Sequence, residues 1–84
     1  MSQKEKLIKK LKTLPKDFTW EDAEALLKYL EYIRSNKGRT SGSRIAFYRE
    51  GFPPILLHKP HPQNELKLYQ VKQLLEILEQ EGLI

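Results

Sequence analysis

The stretch SRIAFYREGFPPILLH, residues 43–58, carries the reading of the fold. Its two arms, SRIAFYR (43–49) and ILLH (55–58), are short and rich in β-branched or aromatic residues, the signature of strands. EGFPP lies between them and reads as a turn, with the prolines at the edge of the second strand, where a missing amide costs no ladder bond. Working upstream, YIRS (32–35) has the same character and supplies a third strand, so the simplest arrangement is a three-stranded antiparallel meander. Before Leu30 the period is helical. In FTWEDAEALLKYL, Thr19 is placed to cap a helix, Asp22 follows three residues later, and Glu21 and Asp22 in the first turn suit the helix dipole. Trp20, Ala23, Leu26, Leu27 and Leu30 then form one apolar stripe, which reads as core. Further back, Leu7, Ile8, Leu11 and Leu14 predict a helix over 3–13, ended by LPKD because the residue before Pro15 is pushed out of the α region. Downstream, Leu68, Val71, Leu74, Leu75 and Leu78 predict a last helix, and Gly82–Leu83 reads as its left-handed cap with an apolar contact. The expected order is α-α-β-β-β-α: an α+β fold with helices on one face of a small antiparallel sheet.

At 84 residues and 39% hydrophobic content the chain suits a single domain over 1–84, burying about 60% of its unfolded surface and leaving little room for a deep cavity. With no cysteine, neither disulfides nor thiolate-bound metals can staple it, which fits a reducing, cytoplasmic setting. The start MSQKEKLIKKLK is lysine-rich without the apolar run of a signal peptide, and no stretch approaches the roughly 20 apolar residues of a membrane span. A soluble protein with no membrane partner is expected. The net charge is +4, unevenly spread: Arg34, Lys37, Arg39, Arg44 and Arg49 fall in a segment with no acid, whereas Glu76, Glu79 and Glu81 cluster late. Such a segment either attracts a polyanion or is a solvated loop.

Side chains alternate along a strand, which puts Ile45 and Phe47 toward the helices and Arg44, Ala46 and Tyr48 on the open face. The same parity turns Ile55 and Leu57 inward with His58 outward, and Ile33 inward with Tyr32 and Arg34 outward. Tyr32, Arg34, Arg44, Tyr48 and His58 would then share one surface of cations, aromatic rings and an imidazole, a combination suited to RNA. The alternative is that these residues only shield the sheet or meet a protein partner, with exposed Leu56 adding an apolar patch beside Tyr32 and Tyr48. His58 and His61 are the only histidines. Zinc would need a third and fourth ligand, and no cysteine or nearby carboxylate pair completes the set, so no metal or other cofactor is expected. Histidine is the side chain suited to proton transfer at neutral pH, so the two imidazoles can instead serve as general base and acid. No Walker loop, dinucleotide fingerprint or Ser-His-Asp order is present.

Over most of its length, in the opening KEKLIKKLK helix, the GRTSGSRIAFY turn and strand, the PHPQNEL exit and the closing helix ending LEQEGLI, the chain resembles the HicA family, small toxins of bacterial toxin-antitoxin modules. KEKLIKKLK is then an added or rearranged element, and PKDFTWEDAEALLKYL supplies the helix usually equated with the family's first. The resemblance implies a double-stranded-RNA-binding-like fold, metal-independent cleavage of mRNA by an endoribonuclease, and a HicB-type antitoxin as partner. The family's Gly-Ser step is followed by a histidine implied to be catalytic; here Gly42 and Ser43 lead to Arg44. Arginine stays protonated and cannot act as a base, though it can hold a phosphate or steady developing charge. Two readings stay open. Either His61 or His58 takes the proton from a ribose 2′-hydroxyl while Arg44 stabilises the charged phosphorus centre, or nuclease activity is lost and the domain binds RNA or an antitoxin only. The RNA-binding set expected under the first is Arg34, Lys37, Arg39, Ser41, Ser43, Arg44, Tyr48 and Lys59.

Overall fold

Helix α1 spans Gln3–Lys12 and α2 spans Trp20–Tyr29; strands β1 (Ile33–Arg34), β2 (Arg44–Tyr48) and β3 (Ile55–His58) follow, and α3 (Leu68–Gln80) closes the chain. The computed structural model describes residues 2–35, 44–60 and 63–84. Local contacts set several of the helix ends. Ser2 caps α1 by accepting from the Glu5 amide. At α2 a full capping box forms: Thr19 Oγ1 accepts from the Asp22 amide at 3.1 Å and the Asp22 carboxylate accepts from the Thr19 amide at 3.2 Å. The end of α3 is a Schellman turn, with Gly82 at φ +71°, its amide donating to Glu79 O and the Leu83 amide to Leu78 O.

The strands are ordered β1-β2-β3 and pair antiparallel throughout. Phe47, Ile55 and Leu57 turn inward and join a single apolar cluster with Leu7 and Leu11 of α1, Trp20, Leu26 and Leu27 of α2, and Val71, Leu74 and Leu78 of α3. Trp20 meets Phe47 with ring centroids 6.0 Å apart, in a tilted contact. Helix α1 packs on α2 and α3, and α3 packs on β3, so the helices cover one side of the sheet. After β3 the chain returns to the start of α2: the Trp20 amide donates to Asn64 O at 2.8 Å and the Leu66 amide to Phe18 O at 2.8 Å, which buries Leu66.

Two expectations need correction. Leu68 is exposed, because the buried arc of α3 is centred between Leu74 and Leu78; in that helix's first turn Gln70 and Val71 are buried instead. The parity of β1 is also reversed. Tyr32 is buried and Ile33 is 74% exposed. The cause lies at the end of α2, where Glu31 takes φ +68° and the Tyr32 amide donates back to Leu27 O at 2.9 Å. Tyr32 therefore occupies the position after a left-handed cap that characteristically folds its apolar side chain back onto the helix's last turn. Once Tyr32 faces the core, alternation sends Ile33 out and Arg34 back to the helix side.

Candidate RNA-binding face

The uncovered face of the sheet is built from three cross-strand rows. Arg44 opposes His58, Ala46 opposes Leu56, and Tyr48 opposes Ile33. Directly paired residues share a face, so all six lie on the side the helices leave open. Arg44 and His58 are exposed at one end; Leu56, Tyr48 and Ile33 are more than half exposed and make the rest apolar.

Helix α3 fixes the charged end. Gln70 is buried, and its side-chain amide takes both backbone groups of His58: the His58 amide donates to Oε1 at 2.7 Å, and Nε2 donates to the His58 carbonyl at 3.0 Å. Gln70 thus replaces the neighbouring strand that this edge of β3 lacks. Because His58 directs both groups away from β2, Arg44 and His58 form a non-hydrogen-bonded pair, the closer kind, with Cα atoms about 4.5 Å apart in typical sheets. A guanidinium and an imidazole thereby project side by side from one row.

Arg34 does not join them. Its partner across the ladder is Phe47 on the helix side, and its guanidinium donates to Glu24 of α2 at 2.8 Å. It lines a cleft of about 450 Å³ against α2 together with Glu21, Lys28 and Tyr32. Arg49 is likewise engaged, donating to the Leu30 carbonyl at 3.0 Å, pairing with Glu31 at 3.2 Å and stacking over Phe52 at 4.5 Å. Two cations of the basic segment are therefore neutralised by neighbours. Tyr32 also leaves the expected surface; burial raises its phenol pKa, opposed by the Arg49 charge and reinforced by Glu81, and its hydroxyl has no hydrogen-bond partner among the described residues. Tyr48 and Lys59 are exposed, the latter immediately after His58. Lys37, Arg39, Ser41, Ser43 and His61 lie outside the described residues.

Residues 20–83 match the family model described as the HicA toxin of bacterial toxin-antitoxin. The chain belongs to the HicA toxin family. Comparison with curated proteins and with solved structures returns no match. As a HicA-family toxin the protein has a cognate antitoxin for partner. The matched segment of this HicA starts at Trp20, so α1 precedes it, although Leu7 and Leu11 belong to the same core. No described helix is long and apolar enough to cross a membrane. Gln70, which holds the His58 backbone, carried no signal in the sequence: a glutamine among leucines reads as a solvent-facing position.

Proposed function

We propose that this HicA toxin binds RNA over the Arg44–His58 end of its open sheet face and cleaves it without a metal. The observation that supports the reading is the cross-strand pairing of Arg44 with His58, both exposed, on a face that also presents the Tyr48 ring. In the proposed reaction an imidazole, His58 or His61, removes the proton of a ribose 2′-hydroxyl. The freed oxygen attacks the adjacent phosphorus, forming a 2′,3′-cyclic phosphate, and the bond to the next nucleotide's 5′-oxygen breaks. That oxygen leaves with a proton from the other imidazole. Arg44 cannot move the proton, but as a fixed cation beside His58 it balances the charge that grows on the phosphoryl oxygens. Lys37, Arg39, Ser41, Ser43 and Lys59 complete the proposed phosphate contacts, and Tyr48 offers a stacking surface for a base.

The exposed row of Ile33, Tyr48 and Leu56 favours a second role for the same face, since an apolar strip bordered by charge suits a protein partner. A HicB-like antitoxin seated there would cover Arg44 and His58 and so neutralise the toxin. A catalytically silent module that only binds RNA or antitoxin would show this second property without cleavage.

Induced expression of the chain should arrest growth, and the purified protein should cleave RNA equally with and without a chelator. His58→Ala and His61→Ala should each slow cleavage by about a hundredfold to ten-thousandfold, the usual contribution of a general acid or base. Intact RNA after incubation with wild-type protein would leave only the binding module.

A further inference from the structure

The chain's net charge is +4, yet residues 20–83 contain nine Lys and Arg against nine Asp and Glu. The segment that carries the family match is therefore neutral, and the whole positive excess sits in residues 1–19, where six lysines face only Glu5 and Asp17. The structure orients that excess. Leu7 and Leu11 are the buried residues of α1 and fix its rotation. At about 100° per residue, Lys6, Lys9 and Lys12 fall on the arc opposite those leucines. All three are exposed, as are Lys4 and Lys16. Lys10 is the exception, turned in to bond Asp22 at 2.8 Å. Among the described residues Lys4, Lys6, Lys12 and Lys16 make no ion pair.

We propose that the lysine face of α1 is a second binding surface for the phosphate backbone of RNA, apart from the Arg44–His58 row. The inference rests on the reading of the protein as an RNA binder and adds where most of the non-specific attraction arises. An acidic protein is a poorer fit, because α1 presents no exposed large apolar side chain to anchor an interface core. A lipid surface is poorer still: the apolar stripe of α1 is committed to the protein core and cannot enter a bilayer. What remains outward is a face of three lysines with Glu5 among them, cations on long stems that suit a phosphate chain read without regard to sequence. Because α1 packs on α2 and α3, behind the sheet, RNA held there would be a flank of the strand presented to the cleavage row rather than the scissile step itself.

The test uses the full chain and a fluorescein-labelled single-stranded RNA 20-mer, with binding followed by anisotropy from about 50 to about 300 mM KCl. K6Q/K9Q/K12Q should bind about tenfold more weakly near 100 mM salt. Its slope of log affinity against log salt should be shallower by about 2, at roughly 0.7 per lost contact. K28Q/K67Q/K72Q removes the same charge from exposed lysines of the neutral segment and should change affinity by less than about threefold; circular dichroism reports whether both variants fold. Equal losses in the two triples would overturn the proposal, reducing the effect to net charge. Wild-type affinity and slope in K6Q/K9Q/K12Q, with Arg44→Ala still weakened, would overturn it while sparing the RNA reading. Binding of phosphatidylserine vesicles that K6Q/K9Q/K12Q loses while RNA binding stays unchanged would assign the face to lipid and overturn it. No anisotropy change with wild-type protein at low salt would remove both readings.

Discussion

Gln70 shows how a single side chain can set the site. Its amide supplies one acceptor and one donor to the two backbone groups of His58, so any replacement that lacks either leaves a buried polar group without a partner. Gln70→Leu should cost about 2 kcal/mol in denaturant unfolding. Gln70→Glu should be nearly as harmful at neutral pH, since a carboxylate accepts from the His58 amide but faces its carbonyl with no proton to give. If both variants unfold at the wild-type denaturant concentration, the clamp contributes nothing. Tyr32 calls for the opposite change. Its buried hydroxyl has no partner among the described residues, so Tyr32→Phe removes an unpaired polar group while keeping the ring and should stabilise the protein by about 1 kcal/mol, read as a higher thermal midpoint. The outward position of Arg44, Tyr48 and His58 follows from alternation within their own strands and was legible. That of Arg34 was not, because its side depends on the cap of α2, and Glu31 at that left-handed position hides the signal a glycine would have given.

Among the elements, α1 and α2 are joined through one carboxylate with two tasks. Asp22 closes the capping box of α2 and also takes the ammonium of Lys10 from α1. Burial alone would raise its pKa. Hydrogen bonds from the Lys10 ammonium and the Thr19 amide, with the Lys10 charge and the Thr19 hydroxyl, outweigh that and hold it below the usual carboxylate range. Lys10 is raised in turn, chiefly by its hydrogen bond to Asp22, against a burial effect that lowers it. A carboxyl lowered in the folded state means the unfolded chain binds more protons in acid, so the contribution is present above the ordinary carboxylate range and fades as pH drops through the folded value. The lysine's contribution holds up to its ordinary range and fades as pH rises through the raised value. Between about pH 6 and about pH 2, wild-type stability should therefore fall more steeply than that of Asp22→Asn, which has no such proton to bind. Parallel acid limbs would show that the pair adds nothing. At the other end of the chain, Gly82 can be tested without steric confusion, because a Cβ there would meet nothing within 4 Å. Gly82→Ala should cost about 1 kcal/mol from the left-handed backbone alone.

At the scale of the molecule, the change from helical to alternating period at Leu30, and back again before Leu68, made the α-α-β-β-β-α order readable, since each run needs an apolar face and the three helices and one sheet share a single core. The sequence did not reveal how α1 relates to the segment that follows it. The family match begins at Trp20, which invites the view of α1 as an independent attachment; the packing argues otherwise, because Leu11 is fully buried in the same cluster as Leu26, Phe47 and Leu78. A shared core makes a specific demand on unfolding. Leu11→Ala removes buried methyl groups from α1, and such a change typically costs about 2–5 kcal/mol. In a protein of this size that should lower the thermal midpoint by more than about 10 °C. Trp20, the sole tryptophan, sits in α2 inside the matched segment and reports its unfolding by fluorescence. If α1 and the rest form one cooperative unit, the Trp20 transition and the loss of helical circular dichroism move down together in Leu11→Ala. A Trp20 transition left in place while part of the helical signal melts early would mean that α1 detaches alone, and the lysine face would then ride on a loosely held arm.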